Sequence, residues 1–182
     1  MNRNFETLLA HHCAPLLFCK KPAALLAEKN LPKKCPWRLL RQKGFHIFRL
    51  QWRGQTPLTL IYHPDMLSTT LSHKRARRAL QEMGYPVESS WRDMLSFLRR
   101  RFYESKDFPH EIGFFLGYPP EDVIGFMECR EDCKLCGQWK VFGDVEEAEA
   151  LFAEYARCRR TLLRHIENGG SIFTEDLPAL AG

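Results

Sequence analysis

Three cysteines, Cys129, Cys133 and Cys136, fall within eight positions of the stretch "CREDCKLCGQWKVFGD". Cys133-x-x-Cys136 closed by Gly137 has the form of a metal knuckle: both sulfurs turn toward one ion, and the glycine permits the tight backbone this needs. Cys129, about one helical turn earlier, adds a third thiolate. A tetrahedral zinc ion or an iron–sulfur cluster takes four ligands. The chain has no second Cys-x-x-Cys, so the fourth ligand must come from a distance: Cys158, Cys13, or a histidine such as His110. Thiolates favour zinc and iron–sulfur centres over magnesium or calcium. Cys158 has a second reading, because it shares a helical stripe with Ala148, Leu151, Tyr155 and Leu162. On such a stripe a free cysteine serves as a small core hydrophobe. The Cys-x3-Cys-x2-Cys spacing also occurs in radical S-adenosylmethionine enzymes. There it follows the first strand of a large barrel, for which too little chain remains here.

A different chemistry centres on Cys13 in "HHCAP". The sequence places this thiol just ahead of a helix started by Pro15, where unpaired N–H groups and the helix dipole would lower its pKa. His110 opens a later apolar run. A cysteine at a helix start followed by a histidine is the chain order of papain-like thiol hydrolases, whose imidazole draws the proton from the sulfur. A thiol-dependent hydrolase or transferase with Cys13 as nucleophile and His110 as base is thus the alternative to a metal-linked protein.

The third reading is a binding module without chemistry. "KKPAALLAEKNLPKK", "HKRARRAL" and "RRRF" carry much of a net charge of +5, which permits a nucleic-acid partner without requiring one. Lys74, Arg75, Arg77 and Arg78 spread over the helix side opposite Leu71, Ala79, Leu80 and Met83. That is the look of a solvated face; nucleic acid would want the clusters to converge with aromatics between them.

The elements that must position these groups belong to one α+β domain spanning residues 1–182, since 182 residues at 45% hydrophobic suffice for one core. The N-terminal stretch lacks the marks of a signal peptide, and no apolar run approaches the roughly 20 residues of a membrane span. A cytoplasmic location with reduced thiols is therefore expected. The spacing predicts a helix over 4–12 broken at "HHCAP", and broken helix and loop over 20–43. A hairpin of strands 45–52 and 57–63 should turn at Arg53-Gly54-Gln55. A helix over 68–83 should stop at Gly84, and another should open at the capping box of Ser90 and Asp93. The run "HEIGFFLGY" (110–118), bounded by Pro109 and Pro119, reads as a buried strand. A helix follows from "PPEDVIGFME", then a strand over 138–144, then a long helix capped by Asp144 and ending near Ile166. The result is a small mixed sheet packed by several helices, with residues 168–182 as a loose tail.

Four strings, "HHCAP", "FPHEIGFFLGYPPEDVIGFME", "CGQWKVFGD" and "YARCR", together resemble a bacterial family, domain-of-unknown-function family 3793. The resemblance covers about residues 8–160. It implies a cytoplasmic, redox- or metal-linked role in anaerobic bacteria, with a flavodoxin-like redox protein as a partner; zinc or an iron–sulfur cluster is the cofactor that the cysteines themselves would hold. The shared pattern falls on Cys13, His110, Glu111, Gly117, Tyr118, Pro119, Glu121, Asp122, Cys136, Gly137, Trp139, Lys140 and Cys158. It favours Cys13, His110, Cys136 and Cys158 over Cys129 and Cys133. Glu121 and Asp122 are otherwise explained as acids in the first turn of a helix.

Overall fold

In the computed structural model, which describes residues 3–33 and 35–173 together with 177 and 180, helices and short strands alternate. The order is α1 (Arg3–Leu17), β1 (Ala23–Ala27), a 3-10 turn (Glu28–Asn30), α2 (Trp37–Gln42), β2 (His46–Leu50), β3 (Leu58–Tyr62), α3 (Pro64–Leu71), α4 (Lys74–Glu82), α5 (Trp91–Glu104), α6 (Ile112–Phe115), α7 (Pro120–Met127), β4 (Leu135–Cys136), β5 (Lys140–Val141) and α8 (Val145–Glu167). This is the α+β class that the sequence implied.

The sheet is antiparallel in the order β1-β3-β2, with Leu25 and Phe48 both opposite Leu60. Its pleat divides the side chains between two cores. Ala24, Leu26 and Ile61 join α1 and α8 through Phe5, Leu9, Cys13, Leu16, Cys158, Leu162 and Ile166. Ala23, Leu50, Leu60 and Tyr62 join the cluster built by α3 to α7 on the other side, including Leu67, Leu80, Leu98, Phe102, Phe115 and Val123. The expected hairpin is present, its turn using Gly54 at φ +66°. Gly84 at φ +82° follows α4, and the Ser90–Asp93 capping box opens α5.

Several segments differ from the sequence expectation. α1 continues through "HHCAP" and contains Pro15 in its last turn; the buried face from Phe5 to Leu17 outweighs the one hydrogen bond that proline forfeits. Residues 20–43 are not merely irregular: β1 lies there, an edge strand of AALLA recruited by pairing with β3. The expected helix over 68–83 divides at Ser72 and His73 into α3 and α4. At this break the Ser72 hydroxyl donates to Thr69 O (2.6 Å), a local bond that competes with helix continuation. "HEIGFFLGY" forms the short helix α6 rather than a strand; a continuous apolar run has no period with which to tell the two apart. The strand over 138–144 reduces to β5, which pairs only with β4 and does not join the sheet.

The tail expected over 168–182 is anchored where it is described. Buried Glu6 accepts hydrogen bonds from Ser171 Oγ (2.6 Å) and Ile172 N (2.7 Å), Ile172 is fully buried, and Phe173 stacks on Phe5 at 6.4 Å. Much of the rest of that stretch lies outside the described residues.

Candidate functional site

The structure separates the cysteines that the sequence grouped. Cys13 sits inside α1, fully buried, rather than at a helix start. Burial pushes its thiol up to about 12, with the Lys21 charge opposing, the reverse of an activated nucleophile. His110 is exposed beside Phe108 and Phe126, and no hydrogen bond joins it to Cys13. Cys158 faces the same core as Cys13, as its stripe implied, and burial raises its thiol too. Exposed Cys129, held at φ +54°, points its thiol at Met127 O (4.0 Å).

Among the described residues, Cys133 and Cys136 are the two cysteines that meet, with their sulfurs 3.6 Å apart. Cys133 is half-buried and donates to Leu135 O (3.3 Å), while Cys136 is exposed. The neighbouring Cys133 thiol raises that of Cys136, and Lys140, opposite it across the β4–β5 ladder, pulls the other way. Gly137 is required by close approach: a Cβ there would lie 2.1 Å from the Phe152 ring of α8. Among the described residues no group of three or more His, Cys, Asp or Glu side chains is placed to hold an ion.

A second site lies where α6, α7 and the β4–β5 hairpin meet. An apolar cleft of about 230 Å³ is walled by Leu25, Phe108, Ile112, Leu116, Tyr118, Val123, Phe126 and Trp139. His110, Asp122 and Lys140 also line it. α6 and α7 approach closely because Gly113 leaves room for Val123: a Cβ at Gly113 would come within 2.8 Å of it. Gly117 turns the chain between them at φ +76° against Pro22.

Asp122 fastens the hairpin to α7. Its buried carboxylate accepts from Trp139 Nε1 (2.7 Å) and from the backbone N–H of Phe142 (2.7 Å) and Gly143 (2.8 Å). An acid in the first turn of a helix was legible in the sequence, but its three distant donors were not. With that carboxylate consumed, His110 and Lys140 are the exposed polar side chains of the lining. Lys140, exposed, has no acid partner among the described residues, and its amine sits 5.8 Å from the Phe126 ring centre. His110 packs against the same ring at 4.8 Å.

In the wall of the cleft, Tyr118 stacks on Trp139 (4.7 Å, 25°), and Trp139 meets Phe152 edge-on at 4.5 Å. Lys21 places its amine 4.6 Å above the Tyr118 ring and 5.8 Å from that of Tyr155. Burial lowers its pKa to about 8, against the pull of Cys13. Sequence reasoning missed this lysine because nothing local distinguishes it from Lys20, which pairs with Glu154 on the surface.

The basic helix α4 is largely neutralised: Arg75 pairs with Glu121, Arg77 with Glu88 and Arg78 with Glu82. No helix among the described residues is long and apolar enough to cross a membrane.

The cleft gathers two of the four strings on which the family resemblance rests. Of its lining residues, only Leu25 lies outside 108–126 and 136–144. The family model described as "Protein of unknown function (DUF3793)" matches residues 9–174. No curated protein and no solved structure matches the chain significantly.

Proposed function

The chain belongs to the DUF3793 family, and we propose that it is a binding protein whose cleft takes a small amphipathic acid, an apolar body carrying one carboxylate. One observation carries the reading: two separate sequence strings, joined through Asp122, converge on a single apolar cleft with an unpaired amine at its mouth. Such a pocket, apolar with few polar groups placed at one end, is the usual form of a ligand site. At about 230 Å³ it holds the volume of roughly eight water molecules, which suits a single ring or a short chain. The walls would desolvate that body, and Lys140 with His110 would meet the acid at the mouth.

Calorimetry with a short-chain or aromatic carboxylate, compared with its amide, tests this reading. The acid should bind and the amide should bind more weakly. Lys140→Gln should cost the acid about 1 kcal/mol, roughly fivefold in affinity, and leave the amide unchanged. Equal binding of acid and amide, or of neither, overturns it.

A metal-linked role is the second reading, favoured by the spacing of the Cys133 and Cys136 sulfurs.

A further inference from the structure

We infer that Cys133 and Cys136 form half of a zinc site, completed by the same pair from a second copy of the chain. Around a tetrahedral ion with zinc–sulfur bonds near 2.3 Å, two sulfurs stand about 3.8 Å apart. The two thiols are already 3.6 Å apart, close to that edge.

The backbone holds them so. Lys134 N donates to Val141 O (2.9 Å) on one side of the knuckle, and Gly137 N donates to Trp139 O (3.0 Å) on the other. Gly137 lies flat against Phe152. The pair is therefore preorganised as two ligands of four, which lessens the ordering cost of binding.

The remaining two ligands do not come from the described part of the same chain, where no third donor stands beside the pair. Cys136, Gly137 and Gln138 are exposed at the tip of the hairpin, so a second knuckle can approach it. A two-fold axis through the ion then brings four sulfurs together with one interface used twice. Zinc held by four thiolates carries a double negative charge. Lys140, opposite Cys136 across the β4–β5 ladder, offsets it from both copies. On binding, four S–H bonds break, four zinc–sulfur bonds form and four protons pass to the buffer; no electron moves. This inference shares Lys140 with the cleft reading, but zinc uptake by Cys133 and Cys136 needs no ligand in the cleft, so the two fail separately.

The test uses the full chain, reduced and metal-free, titrated with zinc and separately with cobalt(II), whose thiolate absorption reports sulfur ligation. The expected result is one ion per two chains, with the sedimenting mass doubling as zinc is added. Cys133→Ser and Cys136→Ser should each abolish the absorption and the mass change, while Cys129→Ser and Cys19→Ser should leave both intact. Circular dichroism establishes that each variant is folded. One ion per monomer, no uptake, or uptake that survives Cys136→Ser overturns the inference.

Discussion

Replacing Asp122 removes the side chain whose hydrogen bonds tie α7 to the β4–β5 hairpin and the residues that follow it. In Asp122→Ala three donors lose their acceptor: Trp139 Nε1 and the N–H groups of Phe142 and Gly143. Phe142 and Gly143 are buried, so water reaches their N–H groups poorly, whereas half-buried Trp139 can rehydrate in part. A bond to a charged acceptor contributes about 1.5 kcal/mol or more net, and a buried orphan costs about 1–3 kcal/mol. Two such backbone losses and a partial third sum to about 3–4 kcal/mol, a large share of the roughly 5–15 kcal/mol typical of a domain. Asp122→Asn behaves differently. Its carbonyl oxygen can keep both backbone donors, but its NH₂ then faces the indole N–H, so only the Trp139 bond is lost, at about 1–2 kcal/mol. Denaturant unfolding followed by circular dichroism measures both values, provided the slope of the transition is unchanged. An alanine variant within about 1 kcal/mol of wild type, or an asparagine variant as damaged as alanine, would refute the clasp.

Other perturbations have equally definite outcomes. The folded state sheds the Lys21 proton near pH 8 while the unfolded chain holds it to about 10.5. The unfolded state therefore binds more protons between those values, and the wild type should gain stability relative to Lys21→Met as pH rises through that window, with no relative gain below it. At neutral pH an alkylating agent should label exposed Cys19 and Cys136 in the native protein and spare Cys13 and Cys158, whose thiols are buried and raised; native labelling of Cys13 would revive it as a nucleophile. Glu6→Ala should free residues 171–173, seen as faster hydrogen exchange at Ile172 and a loss of about 2–3 kcal/mol from two buried bonds. Gly137→Ala should cost about 1–3 kcal/mol by forcing the knuckle off Phe152.

Patterns confined to one element were legible in the sequence. The hairpin 46–62 shows alternation on both sides of a glycine turn, and the stripe of Ala148, Tyr155, Cys158 and Leu162 implies the burial of Cys158. The Asp144 cap and the Ser90 capping box are equally local. What depends on distant partners was not legible. β1 is a strand because β3 pairs with it, α1 passes Pro15 because its face is buried, and Cys13 is a core residue for the same reason. At the candidate site the Cys-x-x-Cys approach was readable from spacing, since two intervening residues fix it. The cleft was not, because it forms only when Asp122 reaches the hairpin some twenty residues further on.

Binding of a small acid in that cleft is tested most directly by a nuclear magnetic resonance titration of the labelled protein with a small aromatic carboxylate. Saturable shifts are expected at the Trp139 indole N–H, at Gly113 and at Lys140, all of which line the cleft. Residues of the α1–α8 core such as Cys158 and Ile166 should stay still. No saturable shift, or one centred away from Trp139 and Gly113, would contradict it.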